Sequence, residues 1–145
     1  MSHAICAPAC ALFDLPDVHV LAVERGPGSF TLVVETVPSL VGCPGCGVLA
    51  TGHGRRKVLL HDLPCAGVPV RVVWRKRVHR CQEDTCEVTT FSQIHQLAAP
   101  RGKLTTRAIS WAVTQLRSHD IAVSALADML AGRLEHRLAR RRPGH

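Results

Sequence analysis

Aromatic residues are scarce in this sequence. Its 145 residues include three Phe, two Trp and no Tyr, so a folded core has to be filled mainly by Val, Leu and Ala. The hydrophobic share of 46% is nevertheless too high for a disordered chain. The length allows one domain or two very small ones.

Long apolar runs are missing, and so is the basic segment that a secretory signal needs. The longest uncharged stretch, residues 36–54, is interrupted by Pro38, Pro44 and five glycines, which excludes a membrane-spanning helix there. The amino terminus lacks the basic region of a secretory signal. We therefore expect a cytoplasmic protein without a membrane partner, in a compartment where thiols stay reduced.

Acidic residues are outnumbered, and the excess of positive charge is confined to one part of the chain. The net charge is +7, but residues 1–50 hold one basic and four acidic residues, whereas residues 51–145 hold seventeen basic and seven acidic residues. A polyanion such as nucleic acid is the natural partner for such a surface. The alternative is a solvated face that only keeps a small protein soluble.

The first two thirds of the chain show the alternation typical of strands. Residues 18–24 and 29–36 flank a Gly/Pro cluster and predict a β-hairpin. A short strand is expected over residues 56–61, closed by Asp62-Leu-Pro64.

The most regular pattern lies in residues 68–80. Apolar side chains occupy one face of this predicted strand and basic side chains the other. The apolar face is Val70, Val72, Trp74 and Val78, and the opposite face is Arg71, Arg75, Arg77 and His79.

Helical spacing begins after Pro100. Residues 103–118 contain no Gly or Pro and predict one helix, and residues 123–130 predict a second. Residues 133–142 predict a third helix. The expected terminal signals are Thr105 or Thr106 as first cap, Ser124 as second cap and Gly132 as a break.

These patterns together predict an α+β protein. A small antiparallel zinc-ribbon-like β domain over residues 17–97 would follow an irregular segment, residues 1–16. A short helical segment over residues 103–142, resembling an incomplete helix-turn-helix, would come next, and the tail, residues 131–145, is atypical.

Four of the seven cysteines form two close pairs. Cys43 and Cys46 are separated by two residues, and Cys81 and Cys86 by four. Zinc favours four soft ligands in a tetrahedron, and two tight turns brought together by a sheet would supply them. Gly45 and Gly47 are expected to provide positive φ values in the first turn. The prediction is a structural Zn2+ held by all four thiolates, with no open position for catalysis.

Other interpretations of the cysteines stay open at this stage. Two reduced, buried thiol pairs are one, and a redox Cys-x2-Cys motif is another, although the βαβ context typical of that motif is missing. Cys6 and Cys10 are interpreted as incidental, and Cys65 as a small buried apolar residue. His53 and His61 are alternative ligands, but each fits a surface or hairpin histidine better.

One ordered series of motifs resembles the amino-terminal part of the ISL-type bacterial insertion-sequence transposases. It consists of Cys43-Pro-Gly-Cys-Gly47, Arg55-Arg56, His61-Asp-Leu-Pro64, Gly67-Val-Pro-Val70, Arg75-Lys-Arg-Val-His-Arg-Cys81, Cys86, Thr90-Phe91 and Pro100-Arg-Gly-Lys-Leu-Thr-Thr-Arg107. The resemblance covers roughly residues 15–130.

The resemblance implies a zinc-binding domain and a helix-turn-helix that recognise the terminal inverted repeats of a transposon. In the family a nuclease domain with three carboxylates follows. Here the chain continues into an Arg-rich tail instead, so we expect a truncated or frameshifted copy that is not an enzyme. The implied partner is double-stranded DNA in the nucleoid, and self-association or pairing with a full-length transposase is a further expectation.

Basic residues on the outer sheet face and before the first helix are the candidate DNA contacts. Contacts of this kind go to phosphates and weaken as salt rises. The candidates are Arg55, Arg56, Lys57, Arg71, Arg75, Arg77, Arg80, Arg101, Lys103 and Arg107. Two rival functions remain: a zinc-ribbon module that binds protein or RNA, and a non-functional transposase remnant.

Overall fold

The computed structural model describes residue 10, residues 13–15 and residues 17–132. Between residues 17 and 132 the chain forms a five-stranded sheet and two helices, which confirms the α+β class. The strands are β1 (Val18–Gly26), β2 (Ser29–Thr36), β3 (Thr51–Cys65), β4 (Val68–Arg80) and β5 (Thr90–Ser92). The helices are α1 (Thr106–Ser118) and α2 (Val123–Ala131).

Two hairpins supply most of the sheet. β1 and β2 pair antiparallel around Pro27-Gly28, as predicted. β3 and β4 pair antiparallel around Ala66-Gly67, from Cys65 opposite Val68 to Thr51 opposite Arg80. β3 is therefore much longer than the six-residue strand expected from the sequence. The glycines near its start hid the extension, which forms because β4 offers a pairing partner along its whole length.

The join between the two hairpins differs from the predicted antiparallel arrangement. β2 runs parallel to β4, with Phe30 opposite Val70 and Val34 opposite Trp74. The strand order is β1-β2-β4-β3, and β5 pairs antiparallel with the end of β4. Local patterning fixes which residues are strands, but it carries no signal for the direction in which distant strands pair.

The main hydrophobic core lies on one face of this sheet, which we call the core face. Its fully buried side chains include Leu32, Leu60, Val72 and Trp74. Segments outside the strands cover them, contributing Phe13, Leu15, Leu97 and Ala98. Aliphatic residues dominate, as the composition predicts, and Trp74 is the single large aromatic side chain among the fully buried residues of the described ranges.

The helices follow β5 and pack near the β3–β4 turn. The Thr105 side chain accepts a hydrogen bond from the Ala108 N–H and caps α1, which confirms one of the two predicted caps. Ser124 is not a cap: α2 begins after Ala122, which makes no side-chain cap. Gly132 ends α2 with a φ of 79°. The predicted third helix and tail beyond Gly132, and Cys6, lie outside the described residues.

No helix in the described ranges is long and apolar enough to cross a membrane.

Candidate metal centre and basic sheet face

The first cysteine pair lies in a tight turn between β2 and β3. An isolated bridge between Gly42 and Leu49 closes the base of this turn. The Cys43 N–H donates to the Val48 carbonyl at 2.8 Å, and the Gly47 N–H donates to the Cys43 carbonyl at 2.8 Å. Gly47 has a φ of 78°, which fits the conformational role predicted for it.

Gly45 is needed for a different reason from the one predicted. It does not have a positive φ. A Cβ atom at this position would lie 2.9 Å from Val88 Cγ2 and 3.2 Å from Cys86 Sγ. Gly45 therefore lets the first turn approach the second cysteine pair closely.

The second pair follows β4 directly. Cys81 comes immediately after Arg80, and its N–H donates to the Thr89 carbonyl at 3.0 Å. The Cys86 N–H donates to the Glu83 carbonyl at 3.2 Å. The two turns meet because β3 starts after the first turn and pairs, at Thr51, with the end of β4.

The four sulfur atoms form one cluster that fits a zinc ion. Their Sγ atoms all lie within 4.8 Å of one another. Cys43 Sγ is 3.8 Å from Cys86 Sγ, and Cys46 Sγ is 3.6 Å from Cys81 Sγ. A tetrahedron with Zn–S distances of about 2.3 Å has edges of about 3.8 Å. Cys43 and Cys81 are buried, whereas Cys46 is exposed.

The four thiols shift one another's pKa values. Burial raises the pKa of Cys43, but hydrogen bonds from the Cys46 and Gly45 backbone and from neighbouring thiols lower it to about 7. A backbone hydrogen bond at Glu83 lowers the pKa of Cys81, but burial and the other three sulfurs raise it to about 12. One thiolate therefore opposes ionisation of the next, and a divalent ion removes that opposition. The cluster is a structural Zn2+ site.

The other described cysteines lie away from this cluster. Cys10 and Cys65 both pack against the hydrophobic core. Cys10 Sγ accepts a hydrogen bond from the Val20 N–H at 3.4 Å, and Cys65 is the last residue of β3. The four-cysteine group contains no histidine, so His53 and His61 are not needed as ligands.

Register places a set of basic side chains together on the face of the sheet opposite the core. Directly opposed residues of an antiparallel pair share a face. Arg55 lies opposite Arg77, and Lys57 lies opposite Arg75. His61 lies opposite Arg71 on the same face. We call this surface the basic face and define it by Arg55, Lys57, Arg71, Arg75 and Arg77.

A carboxylate that the sequence analysis did not single out lies among these cations. Glu35 Oε1 is 3.3 Å from Arg55 Nε and 3.5 Å from Arg75 Nε. Glu35 is the penultimate residue of β2, immediately before Thr36. Only the parallel pairing of β2 with β4 brings it there, so the sequence contained no local signal for it.

Arg56 and Arg80 are not on the basic face, contrary to the prediction. Arg56 lies opposite Lys76, and strand alternation places this pair on the core face beyond the core itself. Arg80 shares the same side, at the end of β4. Neighbouring residues in a strand point to opposite faces, so Arg55, Arg56 and Lys57 cannot act as one patch. Lys76 Nζ lies over the Trp74 ring, 4.9 Å from its centroid.

Arg107 has an interior role instead of the predicted surface role. Its Nε donates to Asp62 Oδ1 at 2.9 Å, and its Nη2 lies 2.5 Å from Asp62 Oδ2. Asp62 is fully buried. The remaining predicted contacts of this region, Arg101 and Lys103, are exposed in the segment that leads to α1.

His79 is buried, although the alternation of β4 predicted a place on the basic outer face. Its ring stacks on Phe91, with centroids 5.4 Å apart and an interplanar angle of 29°. Burial lowers the pKa of His79, and the nearby Arg77 and Arg55 lower it further, which favours a neutral imidazole. β5, which the sequence analysis did not predict, covers it.

One protein-family model matches part of the chain. Residues 39–86 match the family model for the zinc finger of the transposases IS204/IS1001/IS1096/IS1165. The match contains all four clustered cysteines and the basic residues of β3 and β4, and spans about a third of the chain. No curated protein and no solved structure gave a significant match.

Proposed function

We propose that this chain binds double-stranded DNA through the basic face, as the amino-terminal DNA-recognition part of a transposase. The family match concerns a transposase zinc finger, and the zinc site holds together the strands that carry the basic side chains. The proposed target is the terminal inverted repeats of a transposon. The proposed role is binding and positioning, with no catalytic step.

The observation that carries this proposal is the pairing of like charges across β3 and β4. Arg55 faces Arg77, and Lys57 faces Arg75. Like charges directly opposite each other in a sheet are destabilising, and Glu35 compensates only part of the charge. A phosphate backbone would relieve the repulsion and release counterions from the DNA.

The proposed contact surface is narrower than the set predicted from the sequence. It consists of Arg55, Lys57, Arg71, Arg75 and Arg77, with Arg101 and Lys103 as flanking contacts. These residues position the protein on the backbone and carry no base information themselves. A division into a β-rich domain over residues 17–97 and a helix-turn-helix-like segment over residues 103–142 stays a prediction, as does pairing with a full-length transposase.

Two adjacent residues provide a sharp test. Lys57 and Arg56 are adjacent in the chain, both are exposed and each carries one positive charge, but they lie on opposite faces of the sheet. We expect Lys57→Ala to weaken duplex binding and to reduce the slope of log K against log salt by about 0.9, the loss of one phosphate contact. Arg56→Ala should leave that slope unchanged. Fluorescence anisotropy with a labelled duplex between 50 and 200 mM salt, about the range over which such contacts weaken, measures both.

Equal effects of the two substitutions would contradict binding through the basic face. Absence of salt-dependent duplex binding would contradict the proposed function and favour a protein partner. A duplex carrying transposon ends, compared with a scrambled duplex, tests the target, and equal affinity for both would favour the remnant interpretation.

A further inference from the structure

A cavity of about 360 Å³ lies beside the zinc site, next to the basic face. Its volume is within the range of about 300–1,000 Å³ typical of small-molecule sites. The end of β4, the strand β5 and the segment between β2 and the first cysteine turn form its walls. The lining includes Val37, Val41, Arg77, His79, Phe91 and Ile94.

One wall of the cavity is a supported aromatic ring. Phe91 is partly exposed and stacks on His79, which is only 7% exposed. Because His79 is fixed by burial, the Phe91 ring has a rigid support. Aromatic rings of this kind provide stacking platforms for nucleic-acid bases.

The charged group at the cavity is anchored as well. The Arg77 Nη2 donates to the Thr36 carbonyl at 3.0 Å. The backbone N–H of Arg77 donates to Gln93 Oε1 at 2.7 Å, and Gln93 Nε2 donates to Thr36 Oγ1 at 2.8 Å. The ionisable residues that line the cavity are Arg77, His79 and His95, and no carboxylate is among its lining residues. The arginine therefore presents a fixed positive charge at the wall.

We propose that this cavity binds one unpaired nucleotide of a DNA strand, with its base against Phe91 and its phosphate towards Arg77. An apolar wall with a flat ring suits the base, and the guanidinium suits the phosphate. Arg77 belongs both to the cavity and to the basic face, where it lies opposite Arg55. A strand held on the basic face thus reaches the cavity without leaving positively charged surface. This inference rests on the proposed function, because it assumes a DNA ligand.

The test compares two overhangs that differ only in their bases. One duplex carries a short single-stranded overhang, and the other carries an abasic overhang of the same length and charge. We expect the protein to bind the base-bearing overhang about 5- to 150-fold more tightly, the range that stacking of a single base supplies. A 2-aminopurine base in the overhang should also change its fluorescence on binding.

Three variants locate the effect. Phe91→Ala should remove the preference for the base-bearing overhang while blunt-duplex affinity stays unchanged. Zinc content and thermal melting show whether this variant is folded. Ile94 is 84% exposed at the cavity, so Ile94→Glu spares the fold and should also reduce the preference, because it replaces apolar surface that the base would contact with a charged side chain. The matched control is Val123→Glu, at a 72% exposed position on α2, which should leave the preference intact.

Equal binding of the two overhangs, together with normal blunt-duplex binding, would overturn this inference and leave the proposed function standing. If the blunt duplex does not bind, the proposed function fails, and the cavity is then tested with a base-bearing and an abasic single strand. A preference that disappears in Phe91→Ala would support the cavity, and equal or absent binding would overturn it.

Discussion

Asp62 shows how a single residue connects the sheet to the helical segment. Its buried carboxylate accepts a hydrogen bond from Thr105 Oγ1 at 2.7 Å and pairs with Arg107. Arg107 also donates to the Phe13 carbonyl, so one guanidinium joins three segments of the chain. Thr105 is in addition the cap of α1. The position of α1 against β3 therefore depends on this network.

Removing Arg107 should be costly. In Arg107→Met the Asp62 carboxylate stays buried without its cation, and breaking a buried pair in this way costs about 3–5 kcal/mol. Urea denaturation of the zinc-loaded protein measures the loss in the free energy of unfolding. In the double variant Asp62→Leu with Arg107→Met, no buried charge is left, so we expect it to be more stable than Arg107→Met alone. A loss below about 1 kcal/mol in the single variant would show that the pair is only a surface contact.

His61 should make the fold sensitive to acid. Burial lowers the pKa of this half-buried histidine below its usual 6.5, and the Arg71 charge lowers it further. Just below pH 6.5, His61 is therefore protonated in the unfolded chain but still mostly neutral in the folded protein. The free energy of unfolding keeps its full value above pH 6.5. It falls as the pH drops from the pKa of His61 in the unfolded chain towards its lower pKa in the folded protein.

The variant His61→Gln isolates this effect. Glutamine cannot titrate, so the variant should lose less unfolding free energy between pH 7 and pH 5 than the wild type, as followed by denaturant melts. Zinc release in acid and the other histidines affect both proteins alike. Parallel pH profiles would refute the role of His61.

At the scale of elements, the turn between β3 and β4 places an alanine where another residue type would fit better. Ala66 and Gly67 both have positive φ values, 50° and 76°. Two-residue hairpin turns of this type favour Asn-Gly, because asparagine tolerates the left-handed conformation better than alanine. Ala66→Asn should raise the free energy of unfolding by about 1 kcal/mol, the lower end of the penalty for a left-handed residue, measured by urea denaturation.

Gly67→Ala is the complementary substitution. A Cβ at Gly67 would meet no atom within 4 Å, so any effect comes from backbone strain alone. This variant should lose stability while Ala66→Asn gains it. A gain in Gly67→Ala would contradict the assigned turn conformation.

The helix α1 shows what element patterns leave undecided. Its existence and its Thr105 cap followed from the sequence, but its burial did not. Of its residues, Ala108 is buried, whereas Ile109, Val113 and Leu116 are 44%, 38% and 42% exposed. Helical spacing predicts that apolar residues share a face, but it does not determine whether anything covers that face.

At the scale of the whole molecule, the zinc site and the helices lie at opposite ends of β4. β4 has 13 residues, which at about 3.3 Å each extend over about 40 Å. The zinc site adjoins its last residue, whereas the helices pack near the β3–β4 turn at the other end. The basic face lies between these ends, so its geometry depends on the zinc site that closes one end of the β3–β4 pair.

Removal of zinc should therefore disrupt the basic face. Structural zinc binding supplies about 10 kcal/mol or more, which is comparable to the whole stability of a domain. We expect a chelator to lower the melting temperature and to accelerate amide exchange at Arg55 and Lys57 more than in α1. Circular dichroism and hydrogen exchange measure these changes.

Two cysteine substitutions provide the matched pair. Cys81→Ser should reproduce the effect of the chelator even when zinc is present. Cys65→Ser, outside the cluster, should keep one zinc per chain by metal analysis. If Cys81→Ser retains zinc and melts normally, the four-cysteine site does not stabilise this fold.

The sequence by itself determined the local features. The spacing within each cysteine pair predicted the zinc ligands, alternation predicted β4 and its two faces, and helical spacing predicted α1 with its cap, because each of these depends on residues close together in the chain. Only the tertiary structure decided the parallel pairing of β2 with β4, the place of Glu35 among the arginines and the interior role of Arg107. These depend on contacts between residues far apart in the chain, for which local periodicity carries no information.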